Sequence, residues 1–218
     1  ELDEAGIPLC KGGVMARNEA WRADVSGWQQ RIDGWIRRSR PADLLNVDIF
    51  FDLRSVHGDA SLAEGIRAYA YEQGHANPPF AKLLAEASAG FSPPIGLFRR
   101  IRTEDGRVDL KRGGLLPIVS AARVLAIRHD VRERSTPARL RGLMALGIGA
   151  EHDLEALVGI HQRLLRFVLR QQIDDLEAGL PLSNAVRLKA LPAAEQDELR
   201  GALSGLAHLD SLVRDLLF

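Results

Sequence analysis

Two aspartates within an otherwise apolar run are the residues of this sequence best suited to metal chemistry. Asp48 and Asp52 lie in the segment 44–54, LLNVDIFFDLR. Burying an acidic side chain among apolar neighbours is costly unless the carboxylate meets a cation or strong hydrogen-bond donors. Mg²⁺ prefers carboxylate oxygens together with substrate phosphates. The run therefore makes Asp48 and Asp52 candidate ligands for a divalent metal ion.

The element that carries these aspartates decides whether they act together. The segment 44–54 is rich in β-branched and aromatic residues and is bounded by turn residues, which predicts a β-strand. Alternate side chains of a strand share a face, so Asp48, Phe50 and Asp52 would point to one side. The alternative is a half-exposed strand whose polar face carries both aspartates, with Asp52 paired to Arg54. The pattern alone leaves both interpretations open.

A group of basic residues is a second candidate site, for binding anions. Its members flank the predicted turn at 103–107 and are Arg99, Arg100, Arg102, Lys111, Arg112, Arg123 and Arg128. A helix predicted to begin near Pro117 would present free backbone N–H groups, which favour anions. The alternative is a solvated basic face whose charges pair with Glu104, Asp105 and Asp109.

The histidines and the single cysteine form no catalytic or metal-binding pattern. No histidine spacing matches a zinc site. His161 lies on the apolar side of a predicted long helix, which indicates a core histidine rather than a ligand. Cys10 is interpreted as a buried structural cysteine, with a reactive thiol beside Lys11 as the alternative.

Helical periodicity dominates the rest of the chain. Apolar residues recur every three or four positions over 19–38, which predicts an amphipathic helix with Trp21, Trp28 and Trp35 on one face. We interpret these tryptophans as packing, with a platform for stacking nucleotide bases as the alternative. Further helices are predicted at about 78–89, 117–128, from 136, 151–178 and 193–217, with a short extended piece at 108–113.

These elements predict the fold class. The short loops between the helices favour an antiparallel bundle. Few segments have the character of strands. The expected class is therefore α+β, predominantly α.

Composition limits the class of protein. The 218 residues are 46% hydrophobic and 27% charged, with a formal net charge of +0. A balanced surface provides no general field to attract nucleic acid or an anionic membrane. The single cysteine excludes a disulfide framework and favours the cytoplasm, and no apolar run reaches the ~18 residues of a membrane span. The acidic start without Met leads us to expect a fragment of a longer protein.

Several separated motifs resemble a known family. The run LLNVDIFFDLRSVHGDASLA, with CKGGVMARNEAW before it, resembles the nucleotidyltransferases that follow CBS or cyclic-nucleotide-binding modules in bacterial signalling proteins. Three later segments resemble the family's C-terminal substrate-binding domain, namely PPIGLFRRIRTEDGRVDLKRGGLLPIVSAARVLAIRHDV, STPARL and LPLSNAVRL. The family is similar to PII uridylyltransferase and glutamine-synthetase adenylyltransferase. The resemblance covers nearly the whole chain. It implies the C-terminal part of a polymerase-β-like nucleotidyltransferase domain at 1–76 and a helical substrate-binding domain at 77–218.

The resemblance also implies an activity, a cofactor and partners. The expected reaction is a Mg²⁺-dependent transfer of a nucleoside monophosphate from a nucleoside triphosphate to an unknown protein or small-molecule acceptor. In such enzymes three carboxylates hold two Mg²⁺ ions. Asp52 best matches the third of these carboxylates, which makes it the catalytic candidate, and Asp48 is a second candidate metal ligand. The helical domain of these enzymes contacts the nucleotide, which implies phosphate contacts for Lys111, Arg123 and Arg99. Upstream regulatory domains and a homodimer are further expected partners, whereas nucleic acid and membranes are not.

The sequence departs from the family pattern in two places. Residues 1–47 contain no Gly-Ser turn followed by an Asp-x-Asp strand, and Ser120 stands where the family has an acidic residue. We therefore expect these 218 residues alone to be catalytically inactive, because one remaining carboxylate holds Mg²⁺ weakly. The alternatives are a nucleotide-sensing or protein-binding regulatory module without catalysis, and a structural dimerisation bundle.

Overall fold

The computed structural model describes residues 4, 6, 9–89 and 92–217, and helices dominate this part of the chain. In chain order its helices and paired strands are α1 (Val25–Arg38), α2 (Pro41–Phe50), α3 (Ala60–His75), α4 (Pro78–Ser88), β1 (Arg107–Asp109), α5 (Leu116–Arg128), α6 (Thr136–Ala145), α7 (Glu151–Glu177), β2 (Ala185–Arg187), α8 (Ala193–Ser204) and α9 (Leu209–Leu217). The expected fold class, α+β and predominantly α, is confirmed. None of the helices in the described ranges is both long enough and apolar enough to cross a membrane.

The segment 44–54 is helical over most of its length, so the strand prediction is wrong. Helix α2 begins at Pro41, whose fixed φ suits the first position of a helix. Val47 and Phe51 are buried, whereas Ile49 between them is exposed. A strand would place all three side chains on one face, so their burial follows the helical period instead. The β-branched and aromatic composition predicted a strand, but tertiary packing favours the helix.

Three tryptophans and Phe50 form one aromatic cluster that joins α1 to α2. The ring centroids of Trp21, Trp28 and Trp35 lie 6.1 to 6.3 Å apart. The Phe50 ring lies 5.1 Å from that of Trp28 and 5.7 Å from that of Trp35. The rings meet at tilted or edge-on angles, which aromatic pairs prefer. The interpretation of the tryptophans as packing residues is confirmed.

Helix α5 is the central element of the bundle. Its residues 121–127 are buried without interruption, and α4, α6 and α9 pack around it. Helix α7 packs against α6, α8 and β2. A helix that is surrounded in this way is apolar on nearly every side. Arg123 is the exception, and its charge must be compensated inside the protein.

The start of α5 differs from the prediction of an open helix end near Pro117. A single wider turn, Lys111–Leu115, precedes α5 and continues into it. The backbone N–H of Leu116 donates to the carbonyl of Lys111. The N–H of Arg112 donates to the carboxylate of Asp109 at 2.9 Å. The predicted anion site at Pro117 is therefore wrong, because helical backbone runs through that position and an acidic side chain already caps the first turn.

Other predicted boundaries are confirmed to different degrees. Helix α7 confirms the predicted long helix, and Gly179, with a φ of +67°, follows its end. The predicted final helix at 193–217 is two helices, α8 and α9, separated by residues 205–208. The extended piece predicted at 108–113 is confirmed only for residues 108–109. Those residues belong to β1, which pairs antiparallel with β2.

A buried carboxylate on α7 fixes the loop that leads into β2. Asp175 accepts hydrogen bonds from Nε2 of Gln171 at 2.8 Å and from the backbone N–H of Ser183 at 3.0 Å. Gln171 in turn accepts from the N–H of Arg187 at 2.9 Å. The segment LPLSNAVRL, one of the family-like motifs, is thus the loop and strand that this pair of side chains holds.

Candidate functional site

The two aspartates predicted to bind metal lie together against a buried arginine. Arg123 extends from α5 to α2, where its Nη1 donates to the carboxylate of Asp48. Its Nη2 donates to Oδ2 of Asp52 at 2.5 Å. Asp48 and Asp52 share a face because residues four apart in a helical turn lie one above the other. They were expected on one face of a strand, but a helical turn places them there.

A second buried arginine completes the cluster. Arg139 of α6 donates from Nη2 to Oδ1 of Asp52 at 2.7 Å. Its Nε donates to the carbonyl of Glu133 at 3.0 Å. Arg139 was not among the residues predicted from the sequence. It lies in the family-like segment STPARL, which was the one signal that could have identified it. The two arginines join α5 and α6 to the end of α2.

The ion pairs keep Asp52 and Arg123 charged. Burial raises the pKa of Asp52, but hydrogen bonds and charges from Arg123 and Arg139 outweigh this effect and lower the pKa below its usual value. Burial lowers the pKa of Arg123, and its two carboxylate partners outweigh that effect and raise it. Each group therefore stabilises the charged form of the other at neutral pH.

A divalent ion does not fit this arrangement of the two carboxylates. The guanidinium of Arg123 lies between Asp48 and Asp52, and both oxygens of Asp52 accept from arginines. In the described part of the chain, no three His, Cys, Asp or Glu side chains are grouped so that they could hold a metal ion. The alternative partner considered for Asp52, Arg54, does not pair with it. The metal-binding and catalytic roles of Asp48 and Asp52 stay predictions. They require Arg123 to release both carboxylates and Arg139 to release Asp52.

The three residues predicted to bind phosphate have different surroundings. Arg123 is buried and paired with the aspartates. Lys111 is exposed at the start of the turn before α5. Arg99 is exposed and donates to the hydroxyl of Ser204 at 3.3 Å. Two grooves beside Arg99 are lined by neither Lys111 nor Arg123, so no common site for the three is formed there.

His161 and Cys10 differ in how well they follow the predictions. His161 is buried in α7, and burial lowers the pKa of its imidazole, which favours the neutral form. The interpretation of His161 as a core residue is confirmed. Cys10 is exposed, so the prediction of a buried structural cysteine is wrong.

A groove between α4, α5 and α9, which we name the α9 groove, was not predicted from the sequence. Its volume is about 460 Å³, within the range of small-molecule sites. It is lined by Lys82, Ala85, Glu86, Ser88, Ala89, Pro117, Ser120, Ala121, Val124, Leu209, Asp210, Val213, Arg214 and Leu217. The small side chains of α4 and α5 leave the space open. The only sign of this space in the sequence is the small size of Ala85, Ala89 and Ala121. Alanines that pack in a core would give the same sign.

The rim of the α9 groove carries charges of both signs. Lys82 and Glu86 form a loose ion pair with an N–O distance of 3.9 Å. Asp210 and Arg214, one turn apart on α9, have neither a hydrogen bond nor an ion pair from their side chains within the described ranges. Two opposite charges beside an apolar floor suit a ligand with an apolar body and both an anionic and a cationic group.

Two family models match the chain. The model described as "putative nucleotidyltransferase substrate binding domain" matches residues 78–216. The model described as "putative nucleotidyltransferase DUF294" matches residues 1–42. No curated protein and no solved structure matches the chain. The first match contains Arg123, Arg139 and every residue of the α9 groove except Leu217.

Proposed function

Because the chain belongs to the family described as "putative nucleotidyltransferase substrate binding domain", we propose that it is part of an enzyme that transfers a nucleoside monophosphate from a nucleoside triphosphate to an acceptor. The proposal includes dependence on Mg²⁺, as phosphoryl and nucleotidyl transfer commonly require. It assigns residues 1–76 to the C-terminal part of the nucleotidyltransferase domain and 77–218 to the substrate-binding domain. It places the enzyme in the cytoplasm and relates it to CBS-linked signalling proteins and to PII uridylyltransferase.

The α9 groove is the single observation that carries the substrate-binding role. It lies almost wholly within the segment matched by the substrate-binding model. We assign it to the acceptor rather than to the nucleoside triphosphate. The two cations at its rim, Lys82 and Arg214, are balanced by Glu86 and Asp210, so a triphosphate would find no excess positive charge. A zwitterionic small molecule with an apolar body matches both the rim and the floor.

Pyrophosphate release tests the proposed activity. The assay compares the 218-residue chain with the longest natural protein that contains it, each incubated with the four nucleoside triphosphates, Mg²⁺ and a cell extract depleted of enzymes as a source of acceptors. The longer protein is expected to release pyrophosphate, and this release is expected to stop when EDTA is added. The chain alone is expected to release none, because its residues contain no Gly-Ser turn and no Asp-x-Asp strand.

A regulatory module without catalysis is the second candidate function. It is supported by the arginine pairs of Asp48 and Asp52, which occupy the carboxylates that a metal-dependent transfer would use. Its expected result is that the longer protein binds a nucleoside triphosphate, measured by calorimetry, and releases no pyrophosphate with any acceptor. Release by the 218-residue chain alone would contradict both candidate functions.

A further inference from the structure

One side of α7 carries a stripe of large apolar residues that is exposed in the described part of the chain. The α7 stripe consists of Leu165, Leu169, Ile173 and Leu176, which are 45% to 70% exposed. Their spacing of four, four and three residues places them on one face of the helix. The loop after α7 extends the apolar surface with two more exposed leucines, at positions 180 and 182.

Single exposed leucines are common on protein surfaces, but a continuous row is not. Contiguous apolar patches on soluble proteins usually mark an interaction site. The row lies on the longest helix of the described ranges, α7, whose opposite face is packed in the core. We propose that the α7 stripe is the interface of a homodimer in which two copies of α7 pack antiparallel.

The charges beside the stripe favour a second copy as the occupant. At 100° per residue, Arg166 and Glu177 lie along one side of the stripe and Gln172 along the other. Arg166 pairs within the chain through one nitrogen, with Glu198 at 2.6 Å, so its other N–H groups can donate to a second carboxylate. Glu177 has no side-chain hydrogen bond or ion pair in the described part of the chain.

An antiparallel arrangement brings these two charges together twice. With the two-fold axis at the middle of the stripe, between residues 170 and 171, Leu165 of one copy lies opposite Leu176 of the other. The same geometry places Glu177 of each copy near Arg166 of the other, on the same side of the seam. In a parallel pair, that side would face Gln172, and Glu177 would meet no cation. The surface is therefore complementary to itself only in the antiparallel orientation.

The length of the stripe sets the expected strength of the dimer. From Leu165 to Leu176 the stripe spans only about 16 Å of helix. An interface of this length belongs to the smaller class of protein contacts. We therefore expect a reversible dimer whose population rises with protein concentration.

Sedimentation velocity of the chain across a range of concentrations tests the interface. The expected mass rises from 24.0 kDa toward twice that value as concentration increases. The double variant Leu169→Glu/Ile173→Glu is expected to remain monomeric at every concentration, because two-fold symmetry places four new carboxylates in the seam. The matched control is Leu62→Glu on α3, since Leu62 is 57% exposed and Leu169 is 59% exposed. The control is expected to associate like the parent chain.

Disulfide trapping tests the orientation. The exposed Cys10 is first replaced by Ser, and Leu165→Cys and Leu176→Cys are made in separate chains. An antiparallel pair predicts a disulfide when the two proteins are mixed and little when either is oxidised alone. A self-disulfide at position 165 would have to bridge about 16 Å of helix, far beyond the ~5.5 Å between the Cα atoms of a disulfide.

Three outcomes would overturn the proposal. The first is a parent chain that stays monomeric at all concentrations, and the second is association that the Leu169→Glu/Ile173→Glu variant leaves unchanged. The third is strong self-disulfides at both cysteine positions, which would indicate a parallel pair. Circular dichroism of each variant confirms that its helices are intact, which is expected because the substituted side chains are exposed.

Discussion

Arg123 is the residue on which the junction between α2, α5 and α6 depends. It is a buried cation in an apolar helix, and it is compensated by carboxylates that reach it from another part of the chain. Removing one partner of a buried ion pair leaves the other charge without compensation, which destabilises proteins more than the pair itself stabilises them. Asp52 forms ion pairs with two buried arginines, whereas Asp48 forms an ion pair with one.

Replacing Asp52 with Asn is therefore expected to destabilise the fold. We expect a loss of about 1–3 kcal/mol in the free energy of unfolding, below the value for fully buried pairs because solvent screens a side chain that is 43% exposed. Urea denaturation at neutral pH measures the loss. Asp48→Asn is the matched comparison, and its loss is expected to be smaller because only Arg123 loses a partner. Equal stability of all three proteins would contradict the role of the cluster.

The same cluster predicts a pH dependence. The pKa of Asp52 is lower in the folded protein than its usual value, so the stability that it contributes is complete above its unfolded pKa. That contribution is lost as the pH falls through the lower, folded pKa. The stability difference between the parent chain and Asp52→Asn is therefore expected to shrink in acid. A difference that grows as the pH falls would contradict the assigned ion pairs.

At the residue scale, the sequence identified the unusual side chains but not their partners. Asp48 and Asp52 stood out because acidic groups in an apolar run need compensation. Their cation, Arg123, is 71 residues from Asp52 along the chain, and no spacing rule connects positions so far apart. Arg123 was instead assigned to phosphate because it follows a group of other basic residues.

At the element scale, α2 and the loop before β2 show where the apolar period and the composition of the sequence fail to predict the structure. Long helices such as α7 were predicted within a residue or two because their apolar period extends over many turns. Helix α2 has ten residues, so its β-branched and aromatic residues were compatible with a strand as well. The loop 180–184 had no periodic signal, because a buried side chain of α7, Asp175, fixes its conformation.

Replacing Asp175 with Asn tests how that loop is held. The carboxylate now accepts from Nε2 of Gln171 on one oxygen and from the backbone N–H of Ser183 on the other. In the variant an amide nitrogen replaces one of these oxygens, so one of the two donors would face another donor. We expect the free energy of unfolding to fall by about 2 kcal/mol, because a buried donor loses its acceptor. Guanidinium denaturation provides the value, and Asp174→Asn, an exposed neighbour on α7, serves as the control. An effect no larger than that of the control would show that the loop is held by other contacts.

At the scale of the whole molecule, the α9 groove depends on elements from both ends of the matched segment. Helix α4 precedes α9 by more than a hundred residues, and both helices pack against α5. Only the assembled bundle brings the charges of α4 and α9 to one rim. For this reason, composition and periodicity predicted a bundle without predicting the groove.

Filling the α9 groove is expected to remove ligand binding without unfolding the protein. The probes are free amino acids with large apolar side chains, which have the zwitterionic chemistry that the rim suggests. At one hundred times its Kd, a ligand stabilises the folded state by about 2.7 kcal/mol, which corresponds to a rise in Tm of roughly 5–10 °C. The variant Ser120→Trp is expected to lose this rise. Ser211→Trp on α9, outside the groove lining, is expected to keep it.

The hydrogen bonds at the end of α9 have a consequence for the wall of the α9 groove. Carbonyl oxygens in the last turn of a helix have no partner within it. Here those of Leu216 and Leu217 accept from Nε2 of His129 at 2.7 Å and from Nε of Arg128 at 2.9 Å. The last turn of α9 is thus tied to the end of α5. A ligand in the groove would therefore meet, on its α9 side, a wall that is anchored to α5 at this end.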